Sequence, residues 1–338
     1  MGLRKFLIIT TALSFLLSTL APANANNPPR KILSGWLPDY SLARNLPTVE
    51  GNLDLIRDIS PFWYGLTGAT TIKDKYVLGR YTTPKTTVIA KLKSNGLILL
   101  PTITDDTKKL VLAGLLANST TRTSIVQSIK DLVLRHNYDG IDLDFEVFYT
   151  QDGRSTWATT KPNWIAFIKE LSAELRQQGK LLSVTTPPDF APETKRAGNW
   201  VFSWAEIGPH IDRLRIMAYD FSTVNPGPIG PLPWSEDAVK YASTQMPASK
   251  VFLGIPGYGR DWITKVEGVC PKDFATSVVV GAKAAVVMRE AVTLATTNNA
   301  AITYNPTHAE STFTYKKSYV DPTNSASFCT ATRTVWFP

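Results

Sequence analysis

Tyr138-Asp139-Gly140-Ile141-Asp142-Leu143-Asp144-Phe145-Glu146-Val147-Phe148 is the stretch on which the reading of this chain turns. Along a β-strand, side chains two apart share a face. Asp142, Asp144 and Glu146 therefore fall on one face, and Ile141, Leu143, Phe145 and Val147 on the other. The apolar set suits a covering layer of helices, so the acidic set must face inward. Like charges and burial both raise carboxyl pKa values, so at least one of these acids is expected to hold a proton near neutrality. A solvated charged face would not alternate with residues this apolar, and mutually perturbed acids cluster at functional sites. Two chemistries compete. Carboxylate oxygens are hard metal ligands, but His136, His210 and His308 show no ligand spacing. The other is proton transfer, since a carboxylic acid of raised pKa at the C-terminal end of a strand can protonate a leaving oxygen. Glu146 is last in the run and suits that role; no metal and no cofactor is expected.

On both sides of this run, short apolar segments alternate with helical periods. Strands are expected to begin near 32, 59, 97, 140, 181, 213, 251 and 334. Near-continuous apolar runs suit strands buried on both faces, as in parallel sheets. Between them, Ile125, Val126, Ile129, Leu132 and Val133 recur at helical spacing, with Asn118, Ser119 and Thr120 as candidate caps. Trp164, Ile165, Ile168, Leu171 and Leu175 do the same, with Gly179 as the stop. The β-α-β-α order predicts an α/β fold, a (β/α)8 TIM barrel, for which about 250 residues plus insertions is usual. The segment 262–328 exceeds one crossover. It is read as a helix over about 283–296 plus a small β-rich insertion between strands seven and eight. The strand at 334 is followed at once by Pro338, so either the eighth helix of a closed barrel is lacking or the sequence is truncated before it.

At the N-terminus, Arg4 and Lys5, an apolar stretch over 6–20 and Ala23-Asn24-Ala25 have the order of a secretory signal. The stretch is shorter than the ~20 residues of a membrane span, and serines and threonines dilute it. Cleavage near Ala25 is expected, leaving 26–338 as an exported, extracellular or wall-associated monomer without stable membrane insertion. In an oxidising compartment Cys270 and Cys329, the two cysteines of the chain, read as a disulfide tying the insertion to the barrel. The formal charge of +8 is spread without a basic stripe, which argues against nucleic acid as a partner.

Asp139-x-x-Asp142-x-Asp144-x-Glu146 resembles the fourth-strand motif of family 18 glycoside hydrolases, which include chitinases and N-acetylglucosaminidases. Further landmarks follow in order: Trp63 in a second-strand segment, Met217-Ala218-Tyr219-Asp220 at the sixth strand, Tyr258 and Arg260 after the seventh, and Trp336 at the eighth. The resemblance implies substrate-assisted, retaining cleavage of β-1,4 linkages next to N-acetylglucosamine; that mechanism belongs to the family and is not read from the spacing. It implies that Glu146 protonates the departing oxygen and then activates water. Asp144 would orient the substrate acetamido group, Asp142 would share its proton, and Asp139 would support both. Tyr219 would donate to the acetamido oxygen, while Asp220, Met217, Tyr258, Trp63 and Trp336 would contact sugar. The segment Pro226-Gly227-Pro228-Ile229-Gly230-Pro231-Leu232-Pro233-Trp234 resembles the bacterial spore-cortex and cell-wall branch. The expected partner is therefore chitin oligomers or peptidoglycan, held by the groove alone. A lectin-like protein that binds without cutting is the alternative, against which the presence of Glu146 weighs.

Overall fold

The computed structural model describes residues 32–76 and 81–338. The expected leader at 1–25 lies outside the described residues. Seven strands form a parallel sheet hydrogen-bonded in chain order: β1 (Leu33–Pro38), β2 (Ile56–Gly68), β3 (Thr102–Asp105), β4 (Gly140–Asp144), β5 (Leu181–Thr186), β6 (Arg213–Ile216) and β7 (Val251–Leu253). Two short strands, Thr71–Asp74 and Ile98–Leu99, attach to β2. The sheet curls with helices outside it, as expected of the TIM-barrel class. No helix among the described residues is long and apolar enough to cross a membrane.

The outer layer forms where the periodicity places it. Helix Ser119–Arg135 buries Ile125, Val126, Ile129, Leu132 and Val133. Asn118 caps it, its Oδ1 accepting from the N–H groups of Thr120 and Thr121 at 2.9 and 3.2 Å. This satisfies two of the donors a helix N-terminus leaves open. Helix Trp157–Gln177 buries Trp164, Phe167, Ile168, Leu171 and Leu175. Gly179, at φ +64, turns the chain out of that helix in the left-handed region where a Cβ is penalised. Against these helices lies the outer face of β4: Ile141 and Leu143 are fully buried, and the Phe145 ring stacks on Phe167 at 6.0 Å. Each such side chain contributes ~1.5–3 kcal/mol by leaving water. The neighbouring strand approaches Gly140 so closely that a Cβ there would lie 2.1 Å from the carbonyl oxygen of Leu181.

A second, antiparallel sheet follows. Its strands are β8 (Tyr258–Gly268), β9 (Lys283–Val287), β10 (Thr303–Asn305), β11 (Glu310–Asp321) and β12 (Asn324–Phe337), in the order β9-β8-β12-β11-β10. Helix Met288–Thr297 packs on it through Ala291 and Ala295. Three expectations change here. The helix expected from 283 begins at Met288, because Lys283 to Val287 pair with β8 and the β-branched Val286 and Val287 suit a strand. The strand expected at 334 is the end of the fourteen-residue β12, antiparallel to β8 with Trp336 opposite Arg260. It belongs to the β-rich unit, and among the described residues no ladder joins β7 to β1. A short apolar run specifies a strand but not the sheet it joins.

The disulfide forms between Cys270 and Cys329, with Cα atoms 4.6 Å apart. It does not tie the unit to the barrel. Cys329 lies in β12 and Cys270 just beyond β8, and both pack with Ile263, Val278 and Ala331 inside the β-rich unit. With the cysteines separated by 59 in sequence, loop closure contributes up to about 4 kcal/mol. The double variant Cys270→Ser/Cys329→Ser should therefore unfold at clearly lower urea concentration than the oxidised chain. Coincident unfolding curves would show that the crosslink contributes nothing.

Candidate active site

At the C-terminal end of the parallel sheet the chain encloses a cavity of about 1230 Å³. Asp144, Glu146, Met217, Tyr219, Asp220 and Tyr258, all singled out in the sequence, line it. Parallel registry explains the convergence. Asp142 lies opposite Thr102 of β3 and Ser183 of β5, and Asp144 lies opposite Thr104. Alternating interior positions of adjacent strands thus stack in layers.

The acids of the fourth strand occupy three different environments. Asp142, at the bottom, is fully buried and surrounded by donors. Its Oδ1 accepts from Ser183 Oγ at 2.6 Å and Thr185 Oγ1 at 3.0 Å. Its Oδ2 accepts from Thr102 Oγ1 at 2.9 Å and Trp36 Nε1 at 3.2 Å, with Arg215 Nη1 also at 3.2 Å. Asp144, one layer up, is 6% exposed and its buried Oδ1 has no hydrogen-bond partner. Burial first, then the charges of Glu146 and Asp142, hold its carboxyl well above the usual range. Glu146 lies beyond β4, just before helix Val147–Thr150, and faces the cavity. Burial and, to a smaller degree, Asp220 raise its pKa, opposed by the Tyr149 hydroxyl that donates to Oε2 at 3.0 Å. Tyr219 is pushed upward by burial and then by Asp144, so it keeps its proton and is a donor.

Asp220 is held in the left-handed region at φ +60. Its Oδ1 accepts from Tyr258 Oη at 2.6 Å and Arg260 Nη2 at 2.5 Å. The three acids lining the cavity are thus distinct: Asp144 sealed with its carboxyl pKa held well above the usual range, Asp220 engaged by two donors, and Glu146 facing the cavity with Oε2 accepting from Tyr149. Among the described residues no group of three or more His, Cys, Asp or Glu is arranged to hold a metal ion.

Three expected contacts are not brought to the cavity. Asp139 lies at the opposite end of β4, where Oδ2 accepts from the Leu99 N–H at 2.8 Å and Oδ1 is 3.5 Å from Lys93. Trp63 is fully buried against Tyr76, because strand alternation turns Phe62 to the cavity and Trp63 to the helix layer. Trp336 lies in the β-rich sheet with its ring 6.0 Å from His308. The indole at the base of the cavity is that of Trp36, on β1.

Several residues of the site had not been assigned to it from sequence. Asp58, Arg213 and Arg215 form a buried ion cluster beneath Asp142. The period-two argument that exposed the acids applies equally to Arg213-Leu214-Arg215-Ile216. Glu310 of β11 accepts from the N–H groups of Ile229 and Gly230 at 2.7 and 2.6 Å. It thereby fixes the proline-rich loop whose Trp234 lines the cavity.

The raised pKa of Asp144 has a consequence for stability. Between the unfolded aspartate value of about 3.9 and the raised native one, the folded state binds the extra proton, so stability is lost as pH rises through that window. Asp144→Asn removes this proton site. Its urea midpoint should decline less than that of the wild type between about pH 4 and pH 7, and an identical decline would contradict the assignment.

Comparison with known proteins agrees with this arrangement. The family model described as glycosyl hydrolases family 18 matches residues 61–337. The uncharacterised glycosylase YvbX of Bacillus subtilis is 27% identical over 152 residues, 44% of this chain and 42% of that one. The cortical fragment-lytic enzyme of Bacillus subtilis is 26% identical over 208 residues, 60% of this chain and 43% of that one. The alignments thus span less than half the length of these curated relatives. A chitinase from Chromobacterium violaceum has the same fold, with a TM-score of 0.70 at 19% identity over 90% of this chain and 85% of its own. On the match that runs from Pro61 to Phe337, and with the acids of β4 gathered at one cavity, this chain belongs to the family 18 glycosyl hydrolases.

Proposed function

We propose that the protein is an exported glycoside hydrolase that cleaves β-1,4 linkages next to N-acetylglucosamine with retention, using the substrate's own acetamido oxygen as nucleophile. The observation that carries this reading is the division of labour among the acids lining the cavity. Asp144 is sealed, its carboxyl held well above the usual range, and Asp220 is engaged by Tyr258 and Arg260, so neither is a free carboxylate nucleophile. Glu146, with a raised pKa, remains as proton donor. An acid of this kind protonates the leaving glycosidic oxygen, and its conjugate base then takes a proton from the attacking water. Asp144 orients the substrate's acetamido group, a carboxyl oxygen accepting from the acetamido N–H, and the Tyr219 hydroxyl donates to the acetamido oxygen as charge develops. Trp36 supplies an apolar floor.

Within this reading Asp142 and Asp139 are supporting residues: Asp142 fixes the strand's charge pattern, and Asp139 pins the start of the strand to Leu99. Peptidoglycan is the favoured polymer, supported by the likeness to the cortical fragment-lytic enzyme, with action at the cell wall after removal of the leader. The groove offers aromatic and polar wall from Trp36 to Trp234 for several sugars.

Glu146→Gln should fold like the wild type and cleave about a hundredfold more slowly or worse, since general acid catalysis contributes ~10²–10⁴. Near-wild-type turnover would sink the mechanism. Digestion of chitin oligosaccharides beside purified peptidoglycan, with products identified by mass spectrometry, reads the polymer preference. Faster release from peptidoglycan is expected, and cleavage of chitin oligosaccharides alone would contradict that choice.

A further inference from the structure

Among the described residues, the charged side chains that line the cavity are Asp144, Glu146, Asp220, Arg44 and Arg289. Arg44 belongs to the helix Leu42–Glu50 that follows β1, and Arg289 to the helix Met288–Thr297 of the β-rich unit. The two cations thus come to one rim from different walls, and Glu290 lies between them. Its Oε1 is 3.6 Å from Arg44 Nη1 and 3.9 Å from Arg289 Nε. Both distances exceed a hydrogen bond. The arginine side chains are 62% and 52% exposed, and two cations sharing one carboxylate leave positive charge in excess.

Local chain physics does not account for these cations. Arg44 is the third residue of its helix and Arg289 the second, and the partial positive charge of a helix's first turn disfavours a cation there. An exposed, long ion pair contributes little to stability. Nor do the two arginines serve the acids of the site. Asp220 has its own donors in Tyr258 and Arg260. The charges that shift Asp144 are those of Glu146, Asp142 and Lys75, and Asp220 shifts Glu146. Tyr40, exposed, and Asn45 line the same wall as Arg44. The cations therefore stand beside an aromatic ring and an amide, surface suited to a sugar.

We propose that Arg44 and Arg289 are specificity-determining residues that hold a carboxylate carried by the glycan. A guanidinium matches a carboxylate through two parallel N–H donors. In the free protein Glu290 occupies both cations loosely, and a substrate carboxylate supplies the second anion the rim lacks. The ligand class is an N-acetylated glycan strand bearing carboxylates. Peptidoglycan carries them on its lactyl groups and stem peptides, and chitin has none. The inference rests on the glycosidase reading above and narrows its substrate, but the binding it requires is measurable without cleavage.

The test measures kcat/KM of the full chain on three soluble substrates: peptide-bearing peptidoglycan strands, strands freed of peptide that keep the lactyl carboxylate, and chitin oligosaccharides. Binding of the same three to Glu146→Gln is followed by calorimetry. In Arg44→Gln/Arg289→Gln the ratio of kcat/KM on charged strands to that on chitin oligosaccharides should fall about fivefold or more, through KM. Adding these changes to Glu146→Gln should weaken its binding of charged strands by the same factor. The charged substrate that loses its advantage identifies lactyl or stem carboxylate as the group held. Raising salt from about 0.05 to about 0.5 M should erase most of the wild-type preference and barely alter that of the double variant. Arg44→Lys/Arg289→Lys keeps the charge and should retain the salt dependence. Both positions are exposed, so these variants should keep the wild-type thermal midpoint. Glu290→Gln separates recognition from a mere clamp between the two helices. Removing the competing carboxylate should raise the ratio, whereas loss of a clamp would lower it as the arginine variants do. An unchanged ratio in Arg44→Gln/Arg289→Gln, a fall in Glu290→Gln, or a wild type without preference for charged strands would overturn the inference. A wild type that cleaves none of the three, while binding of charged strands to Glu146→Gln still depends on the arginines, would contradict the glycosidase reading and support this one. Binding of none would overturn both.

Discussion

Three carboxyl groups share one inward face of a strand in a water-poor barrel, and the rest of the site answers that constraint. Like charges in so little solvent cannot all persist. The chain resolves the conflict by giving each acid a separate environment. Asp142 is matched by the Arg215 guanidinium and by hydroxyls from both neighbouring strands. Asp144 is denied a partner for Oδ1, and burial and flanking charge hold its carboxyl pKa well above the usual range. Glu146 is carried past the end of the strand to the cavity wall. The outer face of the same strand, with Ile141, Leu143 and Phe145 packed under the helices, fixes the register that makes this sorting possible. A slip of one residue would turn every acid toward the apolar layer.

The β-rich unit completes the cavity rather than merely decorating the barrel. Tyr258 and Arg260, at its first strand, hold the Asp220 carboxylate. Glu310, 2% exposed, accepts from two successive backbone N–H groups of the 226–234 loop and so sets the position of Trp234. The disulfide stiffens the far end of this unit, between β8 and β12, away from the cavity.

Much of this was legible in the sequence because strand alternation and helical spacing are local. The acids of β4, the capped helix after Asn118 and the stop at Gly179 follow from a few adjacent residues. What misled was information that is not local. The run at 334 has the composition of a barrel strand, yet its partners lie in β8 and β11, which sequence distance does not disclose. Trp336 therefore lost its expected place, and Trp36 occupies the base of the cavity. Trp63 and Phe62 are neighbours of similar character, and only the registry of β2 distinguishes the buried ring from the cavity-facing one. Arg213 and Arg215 were readable by the same alternation that marked the acids, but cations beside leucine and isoleucine draw attention only once a buried anion is seen opposite them.

The central claim is that Glu146 works as acid and base while the substrate supplies its own nucleophile, and it makes a definite statement about stereochemistry. Proton NMR of freshly digested N-acetylglucosamine oligosaccharides, recorded before mutarotation, reads the anomer at the newly formed reducing end. The account predicts the β-anomer first, from two successive inversions at the anomeric carbon. An initial α-anomer would mean direct attack by water and would contradict it.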